Sequence, residues 1–298
     1  MKLLTFLAAV FALSGCQSLH QAGPPPAPKT VSVNAVTLTY LEQGAGAPVV
    51  FLHGAFSDYR IWEPQREAVV AKYRFVALSM RYFGTAPWPD DGGNFSQATH
   101  VADVAAFIRE MKVGPVIVVG RSYGATTALV LAVQHPDLVR ALFLNEPGIA
   151  SAVTDPSEQK AVAEDRKANA VVGAAVRAGD NAEATKQFFD YVNGLPGGFE
   201  SLSPASRAMH LDNARTVPLQ INPKVPIPLT CPQLGQIKVP VVITRGELTR
   251  PFFRITAEAV SRCVPGSELI VVKDARHGAP TQNAAAFNDS LLAFLSRQ

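Results

Sequence analysis

Short runs of strand-forming residues recur along this chain and alternate with segments of helical spacing. The runs lie at residues 36–41, 49–52, 75–78, 116–119, 141–144, 239–244 and 269–272. Strands that are buried on both faces read as continuous apolar runs, which is typical of parallel sheets covered by helices. Ser96 stands as an N-cap before apolar residues that recur at helical spacing. We therefore predict an α/β fold with a mostly parallel sheet flanked by helices.

The alternation is interrupted after Pro147. Residues 151–216 read as Ala-rich helical segments, residues 218–232 as a Pro-rich loop, and the strand pattern returns at residue 239. We expect a mostly helical cap at residues 148–235, inserted into one core. The two parts of that core are residues 31–147 and 236–298, and with 298 residues the chain is long enough for one large domain with such an insertion.

The N-terminus has the composition of an export signal. Lys2 precedes an apolar run at residues 3–13, which is too short to span a bilayer. The ending Leu13-Ser14-Gly15-Cys16 resembles a bacterial lipobox, and this resemblance implies that residues 1–16 are a signal peptide with an acylated Cys16. An ordinary cleaved signal with a coincidental cysteine is the alternative. Residues 17–30 then form a Pro-rich tether, and we expect a membrane-anchored lipoprotein, periplasmic or at the outer membrane.

Charge and cysteine usage exclude some classes of function. The net charge is +3 without a basic run, which gives no support for nucleic-acid binding. Cysteines and histidines lack metal-ligand spacing, so we predict no metal, and no motif calls for a cofactor. In an oxidising compartment Cys231 and Cys263 are a plausible disulfide pair, the alternative being two buried thiols.

The sequence Gly120-Arg121-Ser122-Tyr123-Gly124 matches the pattern G-x-S-x-G. It follows the apolar run at residues 116–119 and opens a helical segment, which is the setting of a nucleophile elbow. In that setting Ser122 is the nucleophile. A glycine-rich turn without chemistry is the alternative.

The run at residues 49–52 is followed by His53-Gly54-Ala55, and here the chain resembles the α/β-hydrolase family. The resemblance implies an oxyanion hole formed by the backbone N–H groups of Ala55 and Tyr123. It also implies that His277, on the loop after the last strand, is the general base. For His53 itself we expect a bracing role in the loop.

The triad acid departs from the pattern that is commonest in this family. Members usually carry Gly-Glu-x-Asp after the penultimate strand, whereas this chain has Gly246-Glu247-Leu248-Thr249. A threonine cannot stabilise an imidazolium as a carboxylate does. Glu146, at the end of the strand after the nucleophile helix, is the favoured acid, as in some branches of the family. Glu247 is the other candidate, and a structural role for Glu146 is a third reading.

A serine nucleophile with a histidine and a carboxylate predicts acyl transfer through an acyl-enzyme. We expect a small-molecule carboxylic ester or lactone as substrate. Alternatives are a C–C bond hydrolase, a cofactor-free perhydrolase, and a non-catalytic binding protein on the same scaffold. Five aromatic residues fall on predicted loops near the site and either line its pocket or pack the cap: Tyr82, Phe83, Trp88, Phe252 and Phe253.

Overall fold

The computed structural model describes residues 23–221 and 229–298. The predicted signal peptide, with Cys16, lies outside these residues. The sheet has eight strands in the order β1-β2-β4-β3-β5-β6-β7-β8. Strands β1 and β2 are antiparallel to their neighbours, and all the others are parallel. The strands are β1 Lys29–Val33, β2 Val36–Gln43, β3 Pro48–Leu52, β4 Arg74–Leu78, β5 Val116–Arg121, β6 Val139–Asn145, β7 Val241–Gly246 and β8 Glu268–Val272.

Twelve α-helices accompany the sheet in the described part of the chain. Ser96 caps α2, as predicted, by accepting a hydrogen bond from the Thr99 amide at 3.1 Å. The helices are α1 Glu63–Val70, α2 Gln97–Met111, α3 Tyr123–Gln134, α4 Pro156–Lys167, α5 Ala170–Arg177, α6 Asn181–Asn193, α7 Pro204–Asp212, α8 Val217–Ile221, α9 Cys231–Leu234, α10 Pro251–Cys263, α11 Ala279–Gln282 and α12 Ala284–Leu295.

Both faces of the sheet are covered, which explains its continuous apolar strands. Every residue of β5 is buried. Alternate strand residues point to opposite faces, so Val50 and Leu52 pack with α2, α3 and α10, whereas Val49 and Phe51 pack with α1 and α12. The predicted α/β class with a mostly parallel sheet is confirmed.

The first strand starts earlier than the predicted core. Lys29 and Thr30, assigned to the tether from sequence, pair with Tyr40 and Thr39 as the first residues of β1. A tight β1–β2 turn, in which Asn34 and the next residue both have positive φ, makes this pairing possible. Because β1 is a short edge strand, its sequence carries little apolar pattern.

Helices α4–α9 lie between β6 and β7, within the residues predicted as a cap. Helices α5, α6 and α8 share a separate apolar cluster with the loop after β3 and with the start of α10, through Phe56 and Phe253. Helix α4 is tied to α10 by an Arg262–Glu158 ion pair of 2.5 Å. This arrangement puts the inserted helices beside the carboxyl ends of the parallel strands.

Two local predictions were wrong in detail. The Pro-rich segment at 218–232 contains helical residues at both of its described ends, in α8 and α9. Phe252 and Phe253 lie in the first turn of α10, which starts at a proline that suits a helix N-terminus.

Cys231 and Cys263 form a disulfide, with their Cα atoms 5.0 Å apart. The bond joins α9 to the end of α10, so it closes the inserted segment onto the core. No helix within residues 23–221 and 229–298 combines the length and apolar character needed to cross a bilayer.

Candidate active site

Three strands end side by side at one edge of the sheet, and each is followed by a residue with strained backbone. Phe56 follows β3 with φ 51°, Ser122 follows β5 with φ 51°, and Glu146 follows β6 with φ 46°. Positive φ costs a non-glycine residue roughly 1–3 kcal/mol, and such strain concentrates at functional sites. Three of the eight non-glycine residues with positive φ in the described structure thus gather at this edge, which makes it the candidate site.

Ser122 occupies a tight turn between β5 and α3, with φ 51° and ψ −112°. The two glycines of the motif are required by close backbone approach. A Cβ on Gly120 would lie 2.8 Å from the Ala125 amide nitrogen, and one on Gly124 would overlap the carbonyl of Leu52. The Ser122 amide donates to the Asn145 carbonyl at 2.7 Å, which ties the turn to β6. The hydroxyl is thereby held at the top of the sheet, at the N-terminus of α3.

His277 and Glu146 are in direct contact. The Nδ1 atom of His277 lies 2.5 Å from Oε2 of Glu146, and both side chains are buried. The Glu146 carboxylate also accepts hydrogen bonds from the Gly246 amide at 2.8 Å and from the Thr249 hydroxyl at 3.0 Å. Of the two glutamates proposed from sequence, Glu146 is therefore the one that reaches the imidazole.

The side chain of Glu247 does not reach the His277 ring. This side chain is exposed and accepts a hydrogen bond from the Asp274 amide at 3.2 Å. This contact braces the loop between β8 and His277. Thr249 occupies the position where the family usually has its aspartate, and here it holds the Glu146 carboxylate.

The His277 ring is positioned from several sides. Phe253 stacks on it with ring centroids 3.7 Å apart, and the Asn145 amide group donates to the His277 carbonyl at 3.2 Å. Burial lowers the pKa of His277 below its ordinary value, and the hydrogen bond to Glu146 partly opposes this change. The ring is therefore neutral near pH 7, as a general base requires.

Ser122 and His277 line one recess, although no hydrogen bond joins their side chains in the described residues. Such contacts often tighten only when substrate binds. Neither Ala55 nor Tyr123 donates its amide hydrogen to another described residue, so both N–H groups remain available beside Ser122. The five predicted site residues thus lie at one edge of the sheet.

Two cavities meet at Ser122. The recess, defined here by Gly54, Ser57, Arg121, Ser122, His210 and His277, has a free volume of about 10 Å³, room for one water. The second, the large cavity, measures about 520 Å³ and extends beneath the inserted helices. Phe252 and Phe253 line the large cavity, whereas Tyr82, Phe83 and Trp88 line a different pocket at the β1–β2 end of the sheet.

The other buried histidines have structural hydrogen bonds. His53 donates from Nδ1 to the Gly54 carbonyl and accepts from the Met80 amide, which confirms its bracing role. His100 bonds the Tyr123 hydroxyl at 2.7 Å. His210 bonds the Phe56 carbonyl at 2.7 Å and packs against Phe189 with the two rings tilted by 38°. Burial lowers the pKa of His210 to about 3, so this ring is neutral.

Sequence reasoning missed three residues of the site: Arg121, His210 and Thr249. The local sequence around His210 gives no sign of burial, yet this residue is 2% exposed and lies on the recess wall. Arg121 stands at a variable position of the elbow motif, so the sequence gave no indication that it belongs to the site. Thr249 could have been recognised as a carboxylate partner only once Glu146 was known to be its neighbour.

Comparison with known proteins agrees with this geometry. A family model described as the alpha/beta hydrolase fold matches residues 47–284. The chain therefore belongs to the α/β-hydrolase family, and its general class is that of a hydrolase.

Individual relatives span several activities. The chain is 26% identical over 257 residues to a 2-(acetamidomethylene)succinate hydrolase of Mesorhizobium japonicum, covering 84% of this chain and 88% of that protein. It is 34% identical to an esterase of Mycobacterium tuberculosis over 130 residues, which cover 43% of each chain. A thermophilic esterase from Thermogutta terrifontis has a similar fold, with a TM-score of 0.71, 18% identity, and coverage of 91% of this chain and 99% of that one.

Replacing Thr249 by Val is expected to lower kcat roughly tenfold. The change keeps the shape of the side chain and removes one of three donors that hold the Glu146 carboxylate, and a hydrogen bond to a charged group contributes about 1.5–3 kcal/mol. Steady-state kinetics of hydrolysis measure the effect. Thr249→Ser keeps the hydroxyl and is the control, so equal loss in both variants would contradict the hydrogen-bond argument.

Proposed function

We propose that this protein is a serine hydrolase that cleaves a carboxylic ester or a lactone through an acyl-enzyme. Ser122 is the nucleophile, His277 the base and Glu146 the acid. The observation that carries the proposal is the 2.5 Å contact between His277 and Glu146, made in the recess that also contains the strained Ser122. A glutamate with a purely structural role would have no need of a hydrogen bond to a histidine that lies beside the serine of a nucleophile elbow.

The mechanism follows from the roles of these groups. His277 accepts the Ser122 proton at Nε2 while Oγ attacks the substrate carbonyl, and the amides of Ala55 and Tyr123 bind the oxyanion. Glu146 stabilises the imidazolium through Nδ1–H. The imidazolium then protonates the leaving alcohol, and the same base activates water to release the acid from Ser122.

The shape of the large cavity supports an organic ester of moderate size. Its 520 Å³ lie in the range of small-molecule sites. The wall includes Phe56, Phe252 and Phe253, which suit an apolar acyl or alcohol group.

The test of this function is labelling with a fluorophosphonate, which reacts with activated serines, followed by a panel of ester acyl lengths and lactones. We expect labelling at Ser122 and turnover of at least one ester or lactone. A chain that stays unlabelled and hydrolyses none of them would be a binding protein on this scaffold. Labelling of Ser122 without turnover of any ester or lactone would favour the C–C hydrolase or the perhydrolase alternative.

We propose further that Cys16 is acylated and anchors the protein to a bacterial membrane facing an oxidising compartment. The Cys231–Cys263 disulfide supports export, because such bonds persist outside the reducing cytoplasm.

Replacing Cys16 by Ser is expected to move the protein from the detergent-extracted membrane fraction to the soluble periplasmic fraction. The reason is that the acyl chains attached to this residue provide the anchor. Cell fractionation and immunoblotting measure the shift. Intact mass spectrometry of the wild-type protein should show the added lipid, and an unmodified N-terminus would exclude the anchor.

A further inference from the structure

Arg121 is a buried cation whose charge has no close partner. It precedes Ser122 in the elbow and is 7% exposed. Among the described residues its guanidinium makes no hydrogen bond and no salt bridge, and the charge of Glu146 acts on it only from a distance. Burial lowers the pKa of Arg121 to about 10, which still leaves it charged at neutral pH.

Two other arginines that are largely removed from solvent, Arg66 and Arg81, are paired. Arg66 is 2% exposed and donates to Glu63 at 2.7 Å and to Gln43 at 2.7 Å. Arg81 is bonded to Asp103 through two nitrogen atoms at 2.7 and 2.8 Å. Removing an arginine from water costs several kcal/mol unless an anion and hydrogen bonds replace the water. Arg121 lacks that replacement within the described structure.

The position of Arg121 indicates where its partner would come from. The residue lines the recess with Ser122 and His277. The two histidines on that wall, His210 and His277, have pKa values lowered by burial, so Arg121 supplies the positive charge of the recess. The Glu146 carboxylate is already engaged by three donors, which are the Gly246 amide, the Thr249 hydroxyl and the His277 ring.

We propose that Arg121 binds a carboxylate of the substrate, and that the substrate is therefore an ester or lactone with a free carboxylate close to the scissile carbonyl. This rests on the proposed serine-hydrolase function. An arginine fork matches a carboxylate in bidentate geometry and restores the hydrogen bonds that burial removed. Half-esters of short dicarboxylic acids have this chemistry.

The recess must widen to admit such a group. Phe188 lines both the recess and the large cavity, and its ring packs edge-on against Phe56 at 4.5 Å. A turn of this half-buried ring toward the large cavity joins the two spaces. The substrate then extends from Arg121, past Ser122, into the large cavity.

The test compares two aryl esters of equal chain length, an aryl hemiglutarate with a free carboxylate and the neutral aryl valerate. We expect wild-type kcat/KM to favour the anionic ester at least tenfold. In Arg121→Met the ratio of anionic to neutral kcat/KM should fall about 100-fold, since a hydrogen-bonded charge pair is lost. Arg121→Lys keeps the charge without the fork and should retain part of the preference.

Arg166→Met is the matched control, because Arg166 lies on the wall of the large cavity and is exposed. Loss of the anionic preference in Arg166→Met and not in Arg121→Met would overturn the proposal, as would a wild-type enzyme that prefers the neutral ester. The melting temperature of Arg121→Met should not fall, since no bonded partner is lost; a marked fall would indicate a structural arginine.

Binding separates this inference from the proposed function. On a Ser122→Ala background, calorimetry should show the half-ester binding about 100-fold more weakly when Arg121 is also Met. Equal affinity in both chains would refute carboxylate binding by Arg121. Failure of the serine-hydrolase proposal would be seen separately, as absence of fluorophosphonate labelling in the wild-type protein.

Discussion

Replacing Ser122 by Ala is expected to abolish fluorophosphonate labelling and to lower kcat for ester hydrolysis by a factor on the order of 10⁴ or more. The reason is that the variant has no atom to form the acyl-enzyme, and the remaining rate comes from the oxyanion amides and substrate binding. Labelling gels and steady-state kinetics on the best ester of the panel measure the two effects.

Ser57→Ala is a matched control for this experiment. Ser57 lies on the wall of the same recess, but its hydroxyl already donates to the Gly54 carbonyl at 2.9 Å. We expect this variant to remain labelled. Near-wild-type hydrolysis by Ser122→Ala would show that the elbow serine is not the nucleophile.

Replacing Glu146 by Gln is expected to lower kcat by a factor on the order of 10³ to 10⁴, which is the scale of a lost triad acid. The amide has nearly the same shape but supplies no charge to stabilise the imidazolium at 2.5 Å. Steady-state kinetics measure the loss, and melting temperature must be followed in parallel because the carboxylate also accepts bonds from Gly246 and Thr249.

The pH profile gives a second readout of the same substitution. Hydrolysis requires neutral His277, so activity falls as pH decreases through the pKa of this residue. Burial lowers that pKa and Glu146 raises it. Without the carboxylate, the pKa of His277 should be lower still, and the acidic limb of the kcat/KM profile should move to lower pH. If the Glu146 carboxylate did not interact with the ring in solution, the acidic limb would stay where it is.

Glu247→Gln is the control for this prediction. Its side chain is exposed and contacts the loop before His277 without reaching the ring. We expect only a small change in kcat. If Glu247→Gln lost activity and Glu146→Gln kept it, Glu247 would be the triad acid. If both variants stayed active, the site would work with a serine–histidine pair alone.

The sequence by itself determined the main architecture and the order of the site residues. Continuous apolar strands that alternate with helical segments are typical of a parallel sheet covered by helices on both faces, so the runs before Ser122 and Glu146 indicated such a sheet. Carboxyl ends of parallel strands share one edge, which brings together residues that follow different strands. The elbow motif could also be recognised from local sequence, because close contacts with neighbouring backbone require glycine at positions 120 and 124.

Only the tertiary structure decided how the acid and the charges are arranged. Glu146 and Glu247 have similar local sequence settings, and the choice between them depends on distances across three strands. The disulfide likewise depended on the approach of α9 to α10. Burial of Arg121 and His210 could not be read from composition, since each faces a recess closed by helices distant in sequence. The chemical type of a side chain is given by the sequence, but the whole fold determines whether that side chain is removed from water and which groups it contacts.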